Sequence, residues 1–126
     1  MVKPPKTMEE IVENDKRYNA EAYNFVMEAL HFTVKKLDKP RHVSGQELLE
    51  GTREYALEQF GVMTRTLFEH WGVRRTEDFG EIVFNMVEAG LMGKTSTDSK
   101  DDFKNGYDFS ESFDEIAGYE ADKNIG

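Results

Sequence analysis

MVEAGLMGKTSTDSKDDFKNGYDF, residues 86–109, is the stretch that decides what kind of fold this chain adopts. It opens like the last turn of a helix, with Gly90 placed as the glycine that ends it. Beyond Gly90, residues 91–95 and 102–109 read as two short strands around a polar tip, and Lys104, Asn105 and Gly106 supply turn chemistry. Phe103, Tyr107 and Phe109 share one parity, as aromatics on one face of an extended strand do, with a bulge at Asn105 and Gly106. A helix followed by such a hairpin is the outline of a recognition helix and its wing. The segments upstream decide whether that outline holds.

Those segments read as helices. Thr7 with Glu10 three residues on forms a capping box for a short first helix. Residues 19–37 place Ala22, Val26, Ala29, Leu30, Thr33 and Leu37 on one face, widened by Phe25 and Val34, and stop before Pro40. Ser44 with Glu47 is a second capping box, for a helix that runs to Phe60 with Gly61 past its end and Leu48, Leu49, Thr52, Ala56 and Phe60 inward. A fourth helix, residues 62–71, stops at Gly72. Thr76 is placed to cap a fifth, over residues 77–89, where Phe79, Ile82, Val83, Met86 and Val87 recur at helical spacing. A last turn around Phe113 and Ile116 is expected to start at Ser112 and Glu115. The predicted fold is thus mainly α with a small β-hairpin: a winged-helix-like three-helix unit plus an N-terminal helical extension. Its organisation is a tail at residues 1–6, a single helical domain over residues 7–117 and a C-terminal tail over residues 118–126. Within the domain, residues 19–60 hold the N-terminal helices, 62–89 the helix pair and 91–109 the hairpin.

Composition supports one core. The chain has 126 residues, 38% of them hydrophobic and 12% aromatic, which is enough apolar surface for one domain and too little length for two. It contains no cysteine, which removes disulfides, thiolate metal sites and cysteine nucleophiles. No apolar run has the length a bilayer span needs, and no signal-peptide pattern opens the chain, so the reading is a cytoplasmic protein without membrane contact.

Charge argues against the function that a wing suggests. The net charge is −9, made up of +1 over residues 1–42, −5 over residues 45–89, −6 over residues 96–126 and +1 from Lys94 between them. On the helix over residues 77–89 an inward apolar stripe leaves Glu77, Asp78, Glu81, Asn85 and Glu88 facing out, four carboxylates where a DNA reader carries cations. Arg74, Arg75 and Lys94 do not offset them. The basic stretch over residues 35–42 falls at a helix C-terminus, where cations stabilise the macrodipole.

Catalytic and metal patterns are absent from the sequence. His31, His42 and His70 have no histidine a helical turn away, and no G-x-S-x-G, P-loop or H-E-x-x-H is present. Glu69 and His70 are adjacent, so on a helix their side chains diverge by about 100°. An EF-hand alignment on Gly106 puts Phe103 and Ser112 at ligand positions and fails. What remains is an apolar surplus. Phe84 lies off the inner stripe of its helix among the carboxylates, and Tyr23 and Phe32 lie near the edges of theirs, the arrangement of a partner-binding patch unless the N-terminal helices cover Phe84.

The stretches HVSGQELLEG, ALEQFG, EHWGVRRTEDFGEIVFNMVEAGLM and DDFKNGYDF, in this order, resemble a family of conserved bacterial proteins of planctomycete, verrucomicrobial and delta-proteobacterial type, over roughly residues 18–114. The family has no assigned activity, so the resemblance implies a bacterial cytosolic protein and brings no site residues.

The favoured reading is a non-catalytic protein-interaction or regulatory module that presents an acidic surface, with Glu77, Asp78, Glu81, Phe84, Asn85 and Glu88 meeting a protein partner whose own surface is basic. No cofactor and no metal are expected. One alternative is a small enzyme with a site assembled around His70, with Glu69 and His42 as contributors. The other is a nucleic-acid-binding winged helix, which the charge disfavours. A homo-oligomer through the hairpin or an apolar helix face stays open.

Overall fold

Capping residues set the helix starts that residues 7–114, the part of the chain described by this computed structural model, display. Thr7 and Glu10 close their box at the start of α1 (Met8–Asn14). Asn19 accepts the Glu21 N–H at 2.9 Å and starts α2 (Ala20–Lys35). Ser44 and Glu47 close the second box, at 3.1 and 3.0 Å, and start α3 (Gly45–Phe60). A 3-10 turn, Gly61–Met63, leads into α4 (Thr64–His70), so the helix expected over residues 62–71 is tightened at its first turn. The fifth helix, α5, spans Thr76–Glu88 and gives way at Gly90.

The start of α5 differs from expectation for a clear reason. Thr76 is the first helical residue, and Arg75 is the cap: the Asp78 carboxylate accepts the Arg74 and Arg75 N–H groups at 2.9 and 3.2 Å. The Thr76 hydroxyl is used elsewhere. Only 1% exposed, it donates to the Phe103 carbonyl at 2.7 Å and accepts the Gly106 N–H at 3.1 Å, tying the C-terminal segment to α5.

Residues 91–109 correct the main expectation. No strand occurs among the described residues, so neither half of the hairpin, 91–95 nor 102–109, forms, and the wing that a winged helix requires is missing. A short 3-10 turn, Lys100–Phe103, stands in its place, boxed by Ser99 and Asp102, followed by Asn105 at φ +50°. Side chains of the segment satisfy its own backbone: Asp98 accepts Thr95 N–H at 2.8 Å and Asp102 accepts Ser99 N–H at 3.0 Å. Such short-range bonds compete directly with a strand ladder. Of the three aromatics of shared parity, Phe103 enters the protein apart from Tyr107 and Phe109, whose rings stack 5.6 Å from each other. Phe103 fills a slot against the bare backbones of Gly45 and Gly80, Tyr107 hydrogen-bonds Thr52 at 2.9 Å, and Phe109 packs on Phe68 and Phe79. The last described element is a π-turn, Ser110–Asp114, which begins before Ser112; Glu115 and Ile116 lie outside the described residues, as do the tails at residues 1–6 and 118–126.

The core is aromatic. Phe25 of α2, Phe68 and the adjoining Trp71 of α4, Phe79 of α5 and the late Phe109 and Phe113 share ring contacts between 5.3 and 6.3 Å. Tyr23, expected near a helix edge, is completely buried, and Asn85 holds its hydroxyl at 3.0 Å. Phe32 stays half-buried against Tyr55, its ring centroid 5.1 Å away, with the Lys36 ammonium 4.3 Å above it. No helix among the described residues is long and apolar enough to cross a membrane.

Thr76→Val tests the tether between α5 and the C-terminal segment. It keeps the shape and removes the partner of the buried Phe103 carbonyl, so a loss of about 2 kcal/mol is expected, read from urea midpoints. Thr76→Ser should recover most of it. Wild-type stability in the valine variant would show that the tether contributes nothing.

Candidate functional site

A cleft of about 230 Å³ opens where four segments meet: the second half of α2, residues 41–45 with the start of α3, the outer edge of α5, and residues 92–103. Leu30 and Val34 come from α2, Val43 and Leu48 from around the α3 start, Val83 and Phe84 from α5, and Met92 and Phe103 from the C-terminal segment. Each is present for a helical or packing reason. Leu30 and Val34 are one turn apart on the apolar face of α2, and Val83 and Phe84 sit where the stripe of α5 reaches its edge. The floor is therefore hydrocarbon, with an aromatic ring at its border.

Polar side chains form the rim. The His42 Nε2 lies 2.7 Å from Asp98 Oδ2, which assigns the Nε2 proton to this contact, and joins the α3 approach to the C-terminal segment. Burial pushes the Asp98 carboxyl up, but the Thr95 N–H and the His42 ring together hold it below its ordinary value. Arg41 grips Glu47 through two bonds at 3.0 and 2.8 Å, which lowers that exposed carboxyl to about 2. Asp102 accepts from the Gln46 amide at 3.3 Å as well as from Ser99. Lys94 stands apart. Its ammonium lies 6.0 Å from the Phe84 ring centroid, donates at 3.5 Å to the neighbouring Thr95 carbonyl, and meets no carboxylate among the described residues.

The residues singled out on α5 are dispersed in role. Asp78 is a structural group that also accepts the Tyr18 hydroxyl at 2.6 Å. Glu81 is held by Lys100 at 3.0 Å and by Arg17 at 3.3 Å, and Asn85 donates to Asp15 at 2.9 Å. Of the four carboxylates only Glu81 is ion-paired among the described residues and Asp78 is committed to neutral donors, which leaves Glu77 and Glu88 as the free charges of the outer face of α5. Phe84 is half-buried, packed on the core by one side and bordering the cleft with the other. His70 and Glu69 end α4 beside a shallow groove with Trp71 and Arg74, where Glu69 pairs with Arg65 at 3.4 Å. His42 borders the cleft instead, so these three residues do not converge on one site. Among the described residues no cluster of three or more His, Asp or Glu side chains is arranged to hold a metal ion.

Lys94, Met92 and Asp98 were not legible as site residues. They sit in a segment whose sequence reads as turn and strand, and only its folding over α5 and α3 brings them to the cleft.

The network under α5 makes acid stability a direct readout. Arg17 holds the Asp15 carboxyl far below its ordinary value, against the opposing effect of burial and with help from the Asn85 amide, and Lys100 lowers Glu81. A carboxyl depressed by folding contributes stability that is complete above its unfolded value, here 3.8 for Asp15 and 4.5 for Glu81, and is lost as pH falls through the folded one. Urea midpoints should therefore be level down to about pH 5 and fall steadily below it, and Asp15→Asn should flatten the steepest part. An unchanged acid limb in that variant would remove Asp15 from the account.

No protein-family model, curated protein or solved structure matches this chain.

Proposed function

We propose that this chain is a non-catalytic interaction module that binds a protein partner at the cleft bordered by Phe84. The observation that carries the reading is the combination of a hydrocarbon-floored cleft, a half-buried aromatic at its border and a polar rim, the anatomy of an anchor site surrounded by water-excluding polar groups. The chain's net charge of −9 supports a partner with a basic surface, drawn in by long-range attraction before apolar anchoring. Of the α5 residues singled out in the sequence, Phe84 is the anchor and the unpaired Glu77 and Glu88 do the steering. Asp78, Glu81 and Asn85 are left to hold the fold. A winged-helix DNA reader is not carried forward, because it requires both a wing and a cationic recognition face.

Affinity capture with the full chain tests this, with partners read by mass spectrometry. Phe84→Ala is expected to lower partner capture at least tenfold, the loss typical of a central aromatic anchor. Glu88→Lys should weaken capture at low salt and matter less as salt rises. Full retention by both variants would overturn the proposal.

One contact favours a second reading, a small enzyme. The His42 ring is oriented by Asp98 at the mouth of the cleft, which moves that alternative from His70 to His42. Turnover of any substrate that His42→Gln abolishes and His70→Gln leaves intact would support it.

A further inference from the structure

We infer that the cleft captures the C-terminal end of its partner, with the last apolar side chain on the hydrocarbon floor and the terminal carboxylate at Lys94. This rests on the interaction reading above and names the partner's chemistry.

Size is the first argument. Drug-sized ligands occupy pockets of roughly 300–1,000 Å³, whereas a cavity of about 150 Å³ already takes a benzene ring. The present cleft, at about 230 Å³, suits one large aliphatic or aromatic side chain with its own backbone.

Charge is the second. Around the rim Arg41 is neutralised by Glu47, His42 meets Asp98, and Asp102 is held by Gln46 and Ser99. Of the rim cations, Lys94 alone has no carboxylate partner among the described residues, its ammonium 6.0 Å from the Phe84 ring centroid at the mouth. An internal loop would need an Asp or Glu placed beside the side chain that enters, while a chain end brings a carboxylate attached to that very residue.

Backbone geometry is the third. Met92, Gly93 and Lys94 all border the cleft, and their N–H groups donate to no protein acceptor among the described residues. The neighbouring Thr95 N–H, in contrast, is bound by Asp98. Successive unused N–H groups beside an ammonium are the donor set by which proteins hold terminal carboxylates. At Gly93 the space where a side chain would stand is open, with no atom within 4 Å of an added Cβ, so the backbone is accessible from outside.

The test is a ¹H–¹⁵N NMR titration of the full chain with three probes: N-acetyl-Ser-Gly-Leu with a free carboxylate, its C-terminal amide, and 4-methylpentanoate. The free-acid peptide should shift the amides of Met92, Gly93 and Lys94 and bind about fivefold more tightly than the amide, a preference that shrinks with salt. Lys94→Gln should remove the preference and leave amide binding as it was, while Phe84→Ala should weaken both peptides. Equal binding of acid and amide at the cleft would overturn carboxylate capture and leave the interaction reading standing. Binding of 4-methylpentanoate as tight as that of the peptide acid would overturn the chain-end assignment in favour of a free carboxylic acid. No perturbation of the cleft by any probe at millimolar concentration would overturn both.

Discussion

Phe68→Ala is expected to lower the unfolding free energy by about 4 kcal/mol, the middle of the range for truncation of a buried aromatic. Phe68 is completely buried, and its ring meets Phe25 at 5.3 Å, Phe79 at 5.4 Å, Phe109 at 5.5 Å, Phe113 at 5.4 Å and Trp71 at 5.8 Å. One side chain thus joins α2, α4, α5 and the C-terminal turn. Helix α4 has only 7 residues, too few to persist without packing, so the cavity cannot be closed by moving the helix without losing its other contacts. Denaturant unfolding should show a lower midpoint at an unchanged slope. Phe84→Ala is the control: a half-buried ring at the cleft border should cost about 1 kcal/mol. A Phe68 loss no larger than the Phe84 loss would mean that the aromatic cluster is not the centre of the fold.

Gly72→Ala should cost about 3 kcal/mol, from two causes that add. The residue has φ +90°, where an L side chain is strained, and an added Cβ would stand 2.1 Å from the Arg17 carbonyl oxygen. That carbonyl belongs to a turn pinned in place, since Asn19 N–H donates to the Trp71 carbonyl at 3.0 Å and Arg17 is bound to Asp15 at 2.6 Å. A backbone atom held on both sides does not give way as a side-chain tip would. Gly61→Ala separates the causes, because Gly61 has φ +52° but no atom within 4 Å of an added Cβ. It carries strain alone, at φ +52° and ψ −124°, and should lose about 2 kcal/mol. If the two alanine variants are equally stable, the close approach of Gly72 to Arg17 contributes nothing.

Local chemistry was readable along the chain. Both Thr7 with Glu10 and Ser44 with Glu47 formed the capping boxes their spacing predicts, because both partners of each box lie within one turn of each other. The stripe of Phe79, Ile82 and Met86 is buried, since helical periodicity alone puts those residues on one face. Gly72 ends α4 and Gly90 ends α5, as glycines after apolar stripes suggest. Thr76 shows where such reasoning stops. Its residue type suits a cap, but a carbonyl 27 residues away claims its hydroxyl and Asp78 takes over the capping.

Residues 91–109 mark the same boundary on a larger scale. Alternating aromatics and an Asn-Gly turn describe what a strand pair requires locally, and they are silent about competing acceptors. Asp98, Asp102 and Thr76 bind the backbone groups a ladder would have used, and the slot between Gly45 and Gly80 offers Phe103 a better burial than a sheet face.

The sequence by itself determined the helices, the capping boxes of α1 and α3, the aromatic content of the core and the excess of negative charge, because each depends on neighbours within a turn or on a plain sum. Tertiary structure alone decided that Asp78, Glu81 and Asn85 are committed to internal partners, that residues 91–109 fold without strands, and that Phe84 and Lys94 flank one cleft. The physical reason is competition: a polar group binds the best-placed partner in space, and that partner lies at a sequence distance no local pattern records.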